Sequence, residues 1–166
     1  MQTLFVNEFK SDIGRLQILS FEKGLVRIAF SISEAKEVIK KKYKEYQIAS
    51  DNKINKNTIK LLEAYFKKKT IEIEIPMFLK GSEFQQKVWV ELMKIPYGEV
   101  ISYKELAKRV GLNKGFQAVG GANGNNPIPI IIPCHRVIMS DGSIGGYRGG
   151  VKIKKYLLEL EGYSLG

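Results

Sequence analysis

The sequence predicts an α+β protein in which a small N-terminal α+β domain, residues 1–78, precedes a mainly helical domain, residues 79–166. Three observations predict it. The chain opens with short alternating apolar segments broken by turn signals, continues with helical spacing among lysines, and carries two Ser-x-x-Gln/Glu signatures in its second half.

The alternating segments lie at residues 3–9, 16–21 and 25–30, with Asp12-Ile13-Gly14 and Lys23-Gly24 between them, and read as a β-meander. Residues 33–46 and 56–68 carry helical spacing, the second with Ile59, Leu62, Ala64 and Phe66 among lysines. Residues 71–75 alternate Ile with Glu and predict a strand that Pro76 stops, and residues 76–81 form the join. Ser82-x-x-Gln85 and Ser102-x-x-Glu105 are capping boxes that place helix starts at Glu83 and Tyr103. A short helix over 103–110, a turn at Gly111-Leu112-Asn113 and a second helix over 114–122 make a helix-turn-helix. Such pairs also occur in bundles that bind no nucleic acid. The second helix is small and nearly uncharged, which suits close approach to sugar and backbone in a minor groove or tight packing by another helix.

A chain of 166 residues with 44% hydrophobic content can bury a real core. No run approaches the roughly 18 apolar residues that span a bilayer, and residues 1–14 lack the basic-then-apolar layout of a signal peptide, so a cytoplasmic protein away from membranes is expected. The single Cys forbids an internal disulfide, and with the single His it cannot complete a four-ligand zinc set; no metal or cofactor is expected. The net charge of +10 favours a polyanionic partner, although Lys-rich and Glu-rich surfaces can also be merely well solvated.

That single Cys and single His are neighbours, in Ile132-Pro133-Cys134-His135-Arg136-Val137. A thiol is a weak nucleophile until it loses its proton, and imidazole is well matched to accept it. In an extended segment the two side chains would point to opposite faces, so their cooperation needs a turn or a bridging water. A small core cysteine beside a hydrogen-bonded histidine is the bland alternative.

These features stand in a characteristic order. Phe84-Gln85-Gln86-Lys87-Val88-Trp89, the segment from Ile95-Pro96-Tyr97-Gly98 to Ser102-Tyr103, Ala118-Val119-Gly120-Gly121-Ala122, Asn126-Pro127-Ile128-Pro129 and Pro133-Cys134-His135-Arg136-Val137 closely resemble the O6-alkylguanine-DNA alkyltransferase family, over residues 81–162. The resemblance implies a ribonuclease-H-like first domain and a winged-helix-like second one. It implies a monomer that binds double-stranded DNA, flips an alkylated guanine out of the duplex and moves its O6-alkyl group, once and irreversibly, to a cysteine; O4-methylthymine is a further expected substrate.

By the same resemblance Cys134 is the acceptor, His135 takes its proton through a water, Glu161 orients the histidine, Tyr103 donates a proton to the leaving purine, and Asn126 braces the turn bearing the thiol. Gln117, Ala118, Gly120, Gly121, Ala122, Arg136, Val137, Tyr147 and Arg148 are the expected substrate and DNA contacts, with backbone groups of Cys134, Val137 and Arg148 reading the flipped base. Two positions depart from the family's pattern. Gln117 stands where members commonly carry an arginine that fills the vacated stack, and Arg148 stands where some have a small residue, either to grip a phosphate or to narrow the pocket. A lesion-binding protein without transfer activity is the alternative from another class, and the presence of Cys134 argues against it.

Overall fold

The computed structural model describes residues 1–69 and 74–165. It divides into two compact units, Met1–Leu79 and Lys80–Gly166. The predicted α+β class holds: a sheet carrying helices comes first and a helical unit follows.

In the first unit, β1 (Thr3–Ser11), β2 (Gly14–Phe21) and β3 (Gly24–Ala29) form the expected meander. Both junctions are tight, and Gly14 adopts the positive φ of 125° that its turn requires. The strand after helix α1 (Ile32–Lys42), β4 (Gln47–Ala49), adds to the other edge of β1 in parallel, giving the order β3-β2-β1-β4. Sequence spacing carried α1 on to residue 46, but it stops at Lys42 because Tyr43 and Tyr46 turn in to pack on Phe21, with ring centroids 5.9 and 5.6 Å from it. Helix α2 (Lys53–Phe66) starts earlier than expected, since Asn52 caps it by accepting from the Asn55 N–H at 2.9 Å. Leu4, Leu19, Val26, Ala29 and Ala35 form a core beneath α1. The strand expected at 71–75 falls largely on 70–73, outside the described residues, and residues 74 and 75 belong to no element. Residues 76–78, expected in the join, bond to β3 instead: Leu25 N–H donates to the Pro76 carbonyl and Phe78 N–H to the Leu25 carbonyl, each at 2.8 Å.

In the second unit, α3 (Glu83–Leu92) begins with the complete capping box of Ser82 and Gln85. A two-residue strand, β5 (Ile101–Ser102), leads into α4 (Tyr103–Arg109), capped by Ser102, and after a turn comes α5 (Phe116–Gly124). Helix α5 starts two residues later than its spacing suggests, because Gly115 is held at φ 114° as its N-cap. Trp89 of α3 is 1% exposed and donates its indole N–H to the Ala122 carbonyl of α5 at 2.9 Å. A 3-10 turn over Cys134–Arg136 follows, then β6 (Val137–Ile138) and α6 (Val151–Leu160). β5 and β6 pair in parallel, Ile101 with Val137, and so bring the start of α4 beside the cysteine segment. Among the described residues, no helix is long and apolar enough to cross a membrane.

Candidate active site

The apolar run before Cys134 does not continue as a strand. Ile132 N–H bonds back to the Ile128 carbonyl at 2.9 Å, and Ile130 takes a φ of 74°, a conformation costly for a β-branched residue. Asn126 supports this turn from inside. Its amide donates to the Ile132 carbonyl at 2.7 Å and its oxygen accepts from the Ile128 N–H at 2.9 Å. The chain then enters the 3-10 turn, so Cys134 and His135 do not sit on opposite faces of an extended segment; both are buried, at 5% and 0% exposure.

His135 Nε2 lies 2.6 Å from Glu161 Oε2, at the end of α6. Burial depresses the histidine's basicity, Glu161 opposes this, and the nearby cations Arg136 and Lys154 reinforce it. Glu161 also accepts from the Gly98 N–H at 3.0 Å and from Arg136, Nε at 2.8 Å and Nη2 at 3.1 Å. The Cys134 thiol is pushed up by burial, against the side chains of Asn126 and Tyr147 and the positive charges of Arg148 and Lys154, all of which favour the thiolate. At rest the sulfur therefore keeps its proton.

Lys154 is a residue that sequence reading missed. It is fully buried in α6, donating through Nζ to the carbonyls of Val137 at 2.6 Å and Gly146 at 3.2 Å, and desolvation brings its pKa down to about 8. Its ammonium lies 5.7 Å from the centroid of the Tyr103 ring. The phenol of Tyr103 is held above its ordinary pKa by burial first and by the charge Cys134 carries once ionised, with Asn123 acting in the other direction, so it remains a proton donor through neutral pH. A signal for Lys154 existed: positions 154, 157, 158 and 161 share one helical face, and the other three are Leu157, Leu158 and Glu161.

Cys134, His135, Glu161, Tyr103 and Asn126 thus gather around one buried thiol, with Tyr147 and Arg148 at its edge. Arg148 is exposed and donates Nη2 to the Asn126 carbonyl at 3.0 Å, on the carbonyl side of the residue that braces the thiol turn. Other expected contacts separate. Gln117, Ala118 and Gly121 are exposed on α5, and a Cβ added at Gly120, Gly121 or Gly124 would meet nothing within 4 Å, which leaves an open helix face. Ala122 points inward at 3% exposure. The Val137 carbonyl is already taken by Lys154. Arg136, expected to touch DNA, directs its guanidinium into the fold, with Nη1 donating to the Ile95 carbonyl at 2.7 Å besides the two bonds to Glu161. Among the described residues no three His, Cys, Asp or Glu side chains come together as a metal site.

Two family models match the chain: the ribonuclease-like domain of 6-O-methylguanine DNA methyltransferase over residues 4–79 and its DNA-binding domain over residues 83–163. A methylated-DNA–protein-cysteine methyltransferase of Methanosarcina barkeri is 39% identical over 98% of this chain and 99% of its own length. The protein of that name from Mycobacterium bovis is 51% identical over 60% of this chain and 61% of its own. Among solved structures, Mycobacterium tuberculosis OGT in complex with DNA superposes with a TM-score of 0.80 at 36% identity, covering 96% of this chain and 92% of that one. The O6-methylguanine-DNA methyltransferase of Pyrococcus kodakaraensis gives 0.70 at 29% identity, covering 98% and 99%.

Proposed function

The chain belongs to the 6-O-methylguanine DNA methyltransferase family, and from that premise we propose that it repairs alkylated DNA by direct reversal, with Cys134 taking the alkyl group. DNA is its partner. The observation that carries the assignment of Cys134 is the arrangement of one buried thiol beside the His135–Glu161 pair, on a segment strand-paired to the start of the helix-turn-helix.

Glu161 occupies Nε2, so Nδ1 is the ring nitrogen that faces proton transfer, and an ionised Glu161 favours the tautomer with the proton on Nε2. The thiol proton passes to Nδ1 through a water. The thiolate attacks the alkyl carbon of a flipped O6-alkylguanine, the carbon–oxygen bond breaks, and the electron pair returns to the purine as O6 becomes a keto oxygen. Tyr103 gives its proton to the ring so that guanine leaves neutral, and the protons balance when the His135 imidazolium releases the thiol's proton to solvent as the phenoxide takes one up. The product is a thioether, which no group at the site can hydrolyse, so each molecule acts once. We assign O6-methylguanine in duplex DNA as the main substrate, with O4-methylthymine as a second, and place the protein as a monomer in the cytoplasm. The exposed face of α5 from Gln117 to Gly121 is the surface offered to the minor groove.

Mass analysis after incubation with O6-methylguanine DNA tests the reading. One added methyl on the peptide containing Cys134, and none on Cys134→Ala, is the expected result. Binding without transfer by the wild type would instead identify a lesion-binding protein.

A further inference from the structure

Arg136 is more deeply engaged than its place next to the Cys-His pair suggests. Its side chain is 11% exposed, and Nε and Nη2 close a fork on the two oxygens of Glu161 at 2.8 and 3.1 Å. The remaining nitrogen is spent on the Ile95 carbonyl at 2.7 Å, and the guanidinium carbon lies 5.8 Å from the centroid of the Tyr97 ring. This is a planar cation clamped between two segments, aimed at the same carboxylate that holds His135.

A carboxylate 2.6 Å from an imidazole has two effects. It orients the ring, which a proton-accepting histidine needs, and it draws a proton onto the ring, which such a histidine must avoid. With a second partner of opposite charge on both of its oxygens, the carboxylate keeps the first effect and loses much of the second. We propose that Arg136 is a positioning residue for the transfer: its fork on Glu161 offsets that carboxylate's charge, so that His135 is aligned yet stays neutral and able to accept the thiol proton. This rests on the reading of Cys134 and His135 given above. Among the described residues, the charged groups that act on the imidazole include Glu161 and Lys154 from α6 and its end and Arg136 from its own turn, with the Cys134 thiol next in the chain. Glu161 is the carboxylate that raises the ring's proton affinity. The direction of the histidine's shift agrees, since burial and the two cations prevail over the carboxylate.

His135 is the only histidine of the chain, so its ring resonances can be followed by NMR without assignment ambiguity. In the wild type the titration midpoint should lie below the ordinary imidazole range. In Arg136→Gln it should rise by roughly one pH unit, the scale of one nearby charge, and in Arg136→Lys, which keeps the charge but cannot form the fork, by less. Glu161→Gln alone should lower the midpoint, and in that background the Arg136→Gln change should raise it by less than it does in the wild type, because only the direct repulsion by the guanidinium is then lost. Single-turnover methyl transfer should show its acid limb displaced by the same amount as the NMR midpoint, whereas a purely structural role would slow transfer equally at all pH values. An unmoved midpoint in folded Arg136→Gln would overturn the proposal, as would failure of both Arg136 variants to fold. The titration needs no alkylated substrate. Absence of methyl on wild-type Cys134 would therefore defeat the functional reading separately, without deciding whether Arg136 controls His135.

Discussion

The side-chain amide of Asn126 donates to the carbonyl of Ile132 at 2.7 Å, two residues before Cys134, and so fixes the turn that presents the thiol. Its oxygen meanwhile accepts from Ile128 N–H at 2.9 Å, and both partners are buried. Asn126→Ala leaves a buried donor and a buried acceptor unmet, which should cost about 1–3 kcal/mol each in a urea denaturation measurement. Transfer should slow with it. Asn126→Asp should fare no better, because its carboxylate keeps the acceptor but sets an anion against the Ile132 carbonyl. Wild-type stability in Asn126→Ala would show that the turn stands on its own.

The pH dependence of transfer follows from His135. A proton acceptor works only while neutral, and this histidine's affinity for protons is held down by burial, with Arg136 and Lys154 adding to it. The rate should therefore stay flat through neutrality and fall only below the ordinary imidazole range of about 6.5. On the alkaline side Tyr103, shifted upward by burial, keeps its proton to give. Glu161→Gln should lower the plateau by one to a few orders of magnitude, roughly the range of acid–base assistance. Quenched single-turnover assays between acid and alkaline buffers measure both; a limb lying well above the imidazole range would remove His135 from the mechanism.

Much of this was legible beforehand. Strands β1 to β3 could be read because residue-by-residue alternation and glycine turns are local signals. Strand β4 was not, since Gln47, Ile48 and Ala49 acquire their structure from pairing with Thr3, Leu4 and Phe5, a long-range contact with no local mark. The same division runs through the site. Cys134, His135, Glu161, Tyr103 and Asn126 follow from the order of motifs that resembles the family, and they lie together in the structure. The inward turn of Arg136 depends on Glu161, 25 residues away. The 3-10 turn at Cys134 depends on the Asn126 brace, and neither dependence is visible from a cysteine beside a histidine. Lys154 lies between, detectable by helical period yet disguised by two other lysines nearby, Lys152 and Lys155, in a basic chain.

Trp89 links α3, the first helix of the second unit, to α5, whose exposed face is the one proposed for DNA. Its indole N–H is the donor for the Ala122 carbonyl, at 2.9 Å in a buried setting. Trp89→Phe preserves most of the ring but strands that carbonyl, so a loss of about 1–3 kcal/mol is expected from the unsatisfied acceptor, with some added for the smaller ring. Circular dichroism through a denaturant series reads it, the variant having no tryptophan fluorescence. A change below half a kcal/mol would mean that the carbonyl finds another donor.

Gly120 separates stability from binding. A Cβ there meets nothing within 4 Å, so Gly120→Glu is sterically free, and replacing a helical glycine should raise stability by roughly 0.5 kcal/mol. The new carboxylate would nonetheless face sugar and phosphate. Affinity for unmodified duplex DNA should fall steeply, most of all at low salt, and its slope against log salt should flatten. Unchanged binding with raised stability would place the DNA on another face of α5.

Gln117 is exposed on α5 where relatives of this family commonly carry arginine, and its side chain is long enough to enter a base stack but carries no charge. If it fills the space that a flipped guanine leaves, Gln117→Arg should add a cation that stacks on neighbouring bases and strengthen binding to lesion-containing duplex by about 0.5–2 kcal/mol. Gln117→Ala should leave the space empty and slow transfer from duplex DNA. Free O6-benzylguanine supplies the control, because a base outside DNA needs no flipping. Reaction of Cys134 with the free base should hardly change in either variant, since position 117 is exposed on α5 while the thiol is buried with Asn126 beside it. Parallel losses on duplex and free base would show that Gln117 acts on the pocket itself and takes no part in extruding the nucleotide.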